Sequence, residues 1–177
     1  MDQYEALKYY FGHSQFRQGQ EALINAILSG RDVLGIMPTG GGKSLCYQIP
    51  ALVLEGVTVV ISPLISLMKD QVAALSEAGI QAAYLNSTLT PQQMQLVYQR
   101  TREGAYQLLY VAPERLDTAE FSALVEQISV PLVAVDEAHC ISQWGQDFRP
   151  SYLNIAAFVQ RLPRRPVVAA FTATATG

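Results

Sequence analysis

Six short aliphatic runs recur along the chain with helical stretches between them: "DVLGIM", "VTVVIS", "AAYLN", "YQLLYVA", "PLVAVD" and "PVVAAF". Runs that are apolar at nearly every position, separated by enough residues for a crossover helix, are the pattern of a parallel sheet covered on both faces. The expected fold is therefore α/β, a mostly parallel sheet with helices on both sides. The segment from Arg17 to Ser29 places Leu23, Ile24, Ile27 and Leu28 on one face and stops at Gly30, which predicts a helix ahead of the first strand. Between the third and fourth runs, Thr90 stands as N-cap, Pro91 takes the first helical position and Gln93 can reach back. These signals predict a helix to about Arg102. Leu64, Leu67 and Met68 read as a further helix packing on the sheet.

A chain of 177 residues that is 50% hydrophobic can bury the core of one domain, taken here as 1–177. Its formal net charge of -3 gives no global basic field, which leaves only a local basic and aromatic patch to meet nucleic acid. The 2 cysteines, Cys46 and Cys140, lie far apart without metal-ligand spacing, and point to a reducing cytoplasm. The N-terminus lacks the basic head and apolar run of a signal peptide. The most apolar stretch, "VTVVISPLISLM", is too short and too polar to span a bilayer, so no membrane is expected. The end at Gly177, directly after a strand, looks like a cut inside a larger protein.

Between the first strand and the next helix lies "MPTGGGKSLCYQIP". Backbone N–H groups around Thr39, Gly40, Gly41 and Gly42 can wrap a phosphate chain at a helix N-terminus. Lys43 can reach the terminal phosphates, and the Ser44 hydroxyl can bind magnesium. The segment departs from the general phosphate-loop formula in having Met37 where a first glycine is expected. A nucleoside triphosphate is the natural guest. "VAVDEAH" then ends an apolar strand with Asp136 and Glu137, at the carboxyl edge of the sheet where ligands of open α/β folds bind. Asp136 can hold magnesium, partly through water, and Glu137 can orient and deprotonate a water that attacks the γ-phosphate. A lone acidic pair is also common as a helix N-terminal cluster. Immediately downstream, Trp144, Phe148, Arg149 and Tyr152 are expected in a loop leaving that edge. Their aromatic faces and the arginine plane can stack on bases of any sequence, although Trp144 and Phe148 can equally fold the loop onto the domain.

Taken in order, "MPTGGGKS", "SPLISLMKDQ", "DEAHCISQWG", "DFRP" and "FTATAT" resemble the first motor domain of the RecQ-type DNA helicases, members of helicase superfamily two. The resemblance covers nearly the whole chain. It implies a three-layer RecA-like phosphate-loop domain, hydrolysis of ATP with Mg2+, and 3′-to-5′ unwinding of partially duplex DNA by the complete enzyme, in DNA recombination and repair in the bacterial cytoplasm or nucleoid. It also implies that His13, Arg17 and Gln20 in "FGHSQFRQGQ" recognise adenine. Gln20 has the donor and acceptor that an adenine edge requires, and Arg17 has a plane that can stack on the base. Read without the family, Phe11 and Phe16 are core anchors, and Arg17 and Gln20 are solvated helix residues. Ser62 and Lys69 are implied to line a single-stranded DNA path, and "LNST" and "VAPERL" have the same character; Arg115 can equally be structural. Trp144, Phe148 and Arg149 are implied to couple DNA binding to ATP turnover, and Gln146 stands where many members carry His. His139 is taken to relay from Glu137 to Thr172 and Thr174. Such motors act at a cleft between two RecA-like domains, and the second supplies an arginine. The segment alone is therefore expected to be a weak ATPase, unable to unwind DNA. Rival readings are a nucleotide- or DNA-binding module without turnover, and an RNA helicase of the DEAD-box type.

Overall fold

A computed structural model of the chain describes residues 1–37, 42–138 and 148–173, with the side chains of 148–153 and 173 outside the description. All six aliphatic runs are strands: β1 (Val33–Met37), β2 (Thr58–Ile61), β3 (Ala82–Leu85), β4 (Leu108–Val111), β5 (Leu132–Val135) and β6 (Val167–Ala173). They form one sheet in the order β1-β6-β5-β2-β4-β3, with every adjacent pair parallel. Every residue of β2, β4 and β5 is buried, which is why their sequences are unbroken aliphatic runs rather than alternating ones.

Helices α1 (Gln3–Phe11), α2 (Gln20–Leu28), α3 (Leu45–Val53) and α4 (Ile65–Glu77) serve one side of the sheet. There Ile27, Tyr47, Met68 and Leu75 pack on Val60, Tyr110, Leu132 and Phe171. Helices α5 (Pro91–Arg102), α6 (Ala119–Glu126) and α7 (Phe148–Arg161) cover the other side. Tyr98, Phe121, Leu124 and Phe158 pack there on Val59, Ile61 and Val133. The two faces follow from handedness. Crossovers that step toward β3 place their helices on the first face, and those that step back toward β1 place theirs on the second, as right-handed connections require.

The α5 N-terminus forms as predicted: the Thr90 hydroxyl accepts from the Gln93 N–H at 3.1 Å, and the Gln93 side chain accepts from the Thr90 N–H at 2.8 Å. Four details differ from the sequence reading. Helix α1 was not anticipated. Helix α2 starts at Gln20 rather than Arg17, because Gly19 takes φ 89° and the Gln20 side chain accepts the Arg17 N–H at 2.7 Å, holding 17–19 as a turn. Leu67 is 45% exposed, and Met68 alone of that pair is buried. Phe148, Arg149 and Tyr152 belong to the first turns of α7 rather than to a loop. Pro150 is tolerated there because the first turn of a helix has no intrahelical use for its missing N–H. Among the described residues no helix is long and apolar enough to cross a membrane.

Candidate active site

Strand β6 lies between β1 and β5, so the segments that leave β1 and β5 emerge at the carboxyl edge of the sheet on either side of it. One of them carries Gly42, Lys43 and Ser44 into α3; Thr39, Gly40 and Gly41 lie outside the described residues. Gly42 has φ 101°, a backbone that favours glycine, and a Cβ there would stand 2.1 Å from Gln20 Nε2 and displace that amide. The other carries Asp136, whose N–H donates to Ile61 O at 2.8 Å and continues the ladder one residue past β5.

The two segments meet at Lys43. Its Nζ lies 3.2 Å from Asp136 Oδ1 and donates to Glu137 Oε1. Asp136 is 2% exposed and accepts from the Glu137 N–H at 3.0 Å. Burial pulls the Lys43 ammonium down, but Glu137 and Asp136 outweigh it, and its pKa rises. Burial pushes the Asp136 carboxyl up, against the pull of Lys43. Glu137 has φ 53°, the left-handed region that a glutamate avoids at a cost on the order of 1–3 kcal/mol. That conformation turns its carboxylate toward Lys43.

Among the described residues no three His, Cys, Asp or Glu side chains cluster in a way that could hold a metal ion. Magnesium does not need such a cage: it is held by one or two protein oxygens together with phosphate oxygens and water. Ser44 and Asp136 are hard oxygen donors of that kind, and the Ser44 hydroxyl is not used to cap α3. The Lys43 ammonium stands in for a cation, since it is lodged between two carboxylates in a cleft that favours positive charge. The donor set fits the ion.

Next to this edge is a cavity of about 410 Å³ whose walls include His13, Arg17, Gln20, Gly42, Ser44 and Gln48. It brings together His13, Arg17 and Gln20 with the phosphate loop. The Gln20 amide nitrogen donates to Gly42 O at 3.0 Å, and its oxygen accepts from Arg17 N–H. An amide has two N–H groups and two lone pairs, so one of each is left over from these bonds.

Other predicted residues fall elsewhere. Ser62 is buried and its hydroxyl accepts from the Leu64 N–H at 3.2 Å, at the entrance of α4. Lys69 is exposed beside a second cavity, of about 300 Å³, shared with Tyr84, Asn86, Thr88 and Gln93. Arg115 donates to the Tyr98 hydroxyl at 3.2 Å, a contact within the fold. Thr172 sits on β6 opposite Ile36. His139, Trp144 and Thr174, and the side chains of Phe148 and Arg149, lie outside the described residues. The sequence reading missed Gln48 of the cavity wall. A lone glutamine in "LCYQIPALV" was its signal, because every other position of that helix is apolar except the tyrosine hydroxyl.

A parallel sheet whose first strand opens into a glycine-rich loop with Lys and Ser, facing acids at the end of a second strand, defines a phosphate-loop nucleotide-binding domain. The chain belongs to the DEAD/DEAH box helicase family, whose model matches residues 17–177. It is 58% identical over 171 residues to the ATP-dependent DNA helicase RecQ of Bacillus subtilis (strain 168), an overlap that takes in 96% of this chain and 29% of that protein. To the ATP-dependent DNA helicase RecQ of Haemophilus influenzae it is 53% identical over 169 residues, 96% of this chain and 27% of that one. These identities bear out the RecQ resemblance read from the motifs. The chain thus spans less than a third of the length of these two curated relatives. Among solved structures, the DUF1998 helicase MrfA bound to DNA superposes with a TM-score of 0.80 at 19% identity, over 98% of this chain and 26% of that one, a likeness of fold.

Proposed function

We propose that residues 1–177 are the first RecA-like domain of a RecQ-like helicase motor, and that they bind ATP with Mg2+ for hydrolysis coupled to movement along DNA. The observation that carries this reading is the meeting of Lys43 with Asp136 and Glu137 beside the cavity of His13, Arg17 and Gln20. In it, Lys43 leaves the carboxylates to meet the terminal phosphates. Ser44 and Asp136 hold magnesium, which when bound neutralises charge on the phosphate oxygens. Glu137 orients the attacking water and takes its proton. Thr39, Gly40, Gly41 and Gly42 wrap the phosphate chain, and His13, Arg17 and Gln20 hold adenine. Lys69, Trp144, Phe148 and Arg149 meet single-stranded DNA, and His139, Thr172 and Thr174 pass its presence to the site; Ser62, buried and bonded to the Leu64 N–H, serves the entrance of α4 instead. A second RecA-like domain of the parent chain completes the cleft with an arginine. The working place is the bacterial cytoplasm.

Binding of a fluorescent ATP analogue tests the first half of this reading: Lys43→Ala should lose it, and Glu137→Gln should keep it. In the longest parent chain Glu137→Gln should lower ATP turnover by orders of magnitude, as expected for loss of a positioned base. Normal turnover by that variant would overturn the assignment of Glu137. Turnover with and without single-stranded DNA, on this segment and on the parent, separates a motor from a binding module. A full-rate, DNA-stimulated ATPase from the segment alone would contradict the need for a second domain.

A further inference from the structure

Beneath α3, inside an apolar layer, three polar side chains bond to one another. Tyr47 and Tyr110 are fully buried and Gln48 is 8% exposed. The two hydroxyls lie 3.3 Å apart, and the Gln48 amide nitrogen donates to the Tyr110 hydroxyl at 3.3 Å. Tyr110 comes from β4, between β2 and β3, whereas Tyr47 and Gln48 lie in the first turn of α3, just after Ser44. Packing alone does not call for the hydroxyls. The Tyr47 ring meets Phe171 at 5.8 Å between centroids and Tyr110 at 6.3 Å, contacts that a phenylalanine would also make. A buried hydroxyl without a partner is destabilising, and a bonded one gains little net, so the group adds little stability for the risk it carries.

What it adds is direction, because its ends touch the nucleotide site. The Tyr47 and Gln48 backbone N–H groups both donate to Ser44 O, at 3.2 and 2.9 Å, so fixing this turn fixes Ser44. At the other end Gln48 lines the cavity that holds His13, Arg17 and Gln20.

We infer that Tyr47, Tyr110 and Gln48 are positioning residues that fix the first turn of α3 on β4, and so preset the spacing of the Ser44 hydroxyl and the Asp136 carboxylate for a divalent ion. The inference rests on the nucleotide and magnesium reading above. Hydrogen bonds behind a metal ligand set its orientation, and loss of one typically weakens metal affinity roughly 10- to 100-fold.

The test is a Mg2+ titration of fluorescent ATP analogue binding to the wild-type chain and to Tyr47→Phe and Tyr110→Phe. The Mg2+ concentration for half-maximal binding should rise about tenfold in each variant. Binding in EDTA should be unchanged, a pattern that a general loss of packing would not produce. Midpoints within about twofold of wild type in both variants would overturn the inference. Should one phenylalanine variant fail to fold, the other decides alone, since either substitution breaks the contact between the two hydroxyls. A wild-type chain with no Mg2+-dependent nucleotide binding, or a Lys43→Ala chain that binds normally, would remove the underlying reading and this inference with it. A Mg2+-dependent wild type with unshifted variants removes the inference alone.

Discussion

The Lys43 ammonium offsets one of two negative charges that the fold brings together at the end of β5. Lys43→Ala therefore removes the cation that Asp136 and Glu137 share, and the nucleotide-free chain should lose stability, by roughly 3 kcal/mol at neutral pH. The pH dependence has a definite sign. Burial already raises the folded pKa of Asp136 above 3.8, and removal of Lys43 raises it further. The folded state then binds more protons than the unfolded one between the ordinary and the raised values, so stability falls as pH rises through that window. Melting curves followed from neutral pH down to the ordinary carboxylate range should show the variant converging on wild type at the acid end. A gap independent of pH would mean that the carboxylates are not its source. Nearby, burial pushes the Cys46 thiol up to about 12. At pH 8 on the order of one in ten thousand such thiols is ionised. Iodoacetamide should spare the Cys46 peptide in the native chain and modify it on unfolding, as peptide mass spectrometry would read. Lys43, Asp136 and Glu137 were legible in the sequence because each ends or begins an element in a fixed motif. Their mutual contact was not, because it depends on β6 lying between β1 and β5, and the left-handed backbone of Glu137 has no signal in a residue type that avoids it.

Elements were legible in proportion to how wholly they are buried. Strands β2, β4 and β5 have no exposed position and read as unbroken aliphatic runs. Helix α1 escaped because only Ala6 and Leu7 are buried in it, while Tyr4 is 49% and Tyr9 74% exposed, so the aromatics blur the helical period. Its ends carried the better signal: the Asp2 side chain accepts the Glu5 N–H, and Gly12 closes the helix at φ 71°. Helix α7 escaped because Pro150 reads as a breaker unless its place in the first turn is known. Helix α5 was read from its cap, and the cap can be weighed. Thr90→Ala should lower stability by about 1 kcal/mol in urea unfolding with an unchanged denaturant slope. A much smaller loss would mean that tertiary packing of Tyr98 holds the helix on its own.

At the scale of the molecule, the described residues leave one face of β1 open. Leu34 and Ile36 are 63% and 60% exposed on an edge strand, on the side that α5, α6 and α7 cover elsewhere. An aliphatic edge of this kind favours association. Light scattering of the isolated segment should rise with concentration, and Leu34→Lys combined with Ile36→Lys should suppress the rise with little change in melting temperature. Equal scattering by the double variant would place the contact elsewhere. The parallel sheet has one more consequence, a practical one. Because every strand points the same way, the turns at Gly79 and Gly104 gather on the rim opposite Lys43, where a Cβ at either glycine would meet nothing within 4 Å. Both glycines take positive φ, so a dye or surface tether is better joined at the neighbouring Glu103, exposed at φ -79°, roughly 13 Å or more from the Lys43 rim, the span of a strand of this length. The molecule thus offers a quiet handle for optical and force measurements.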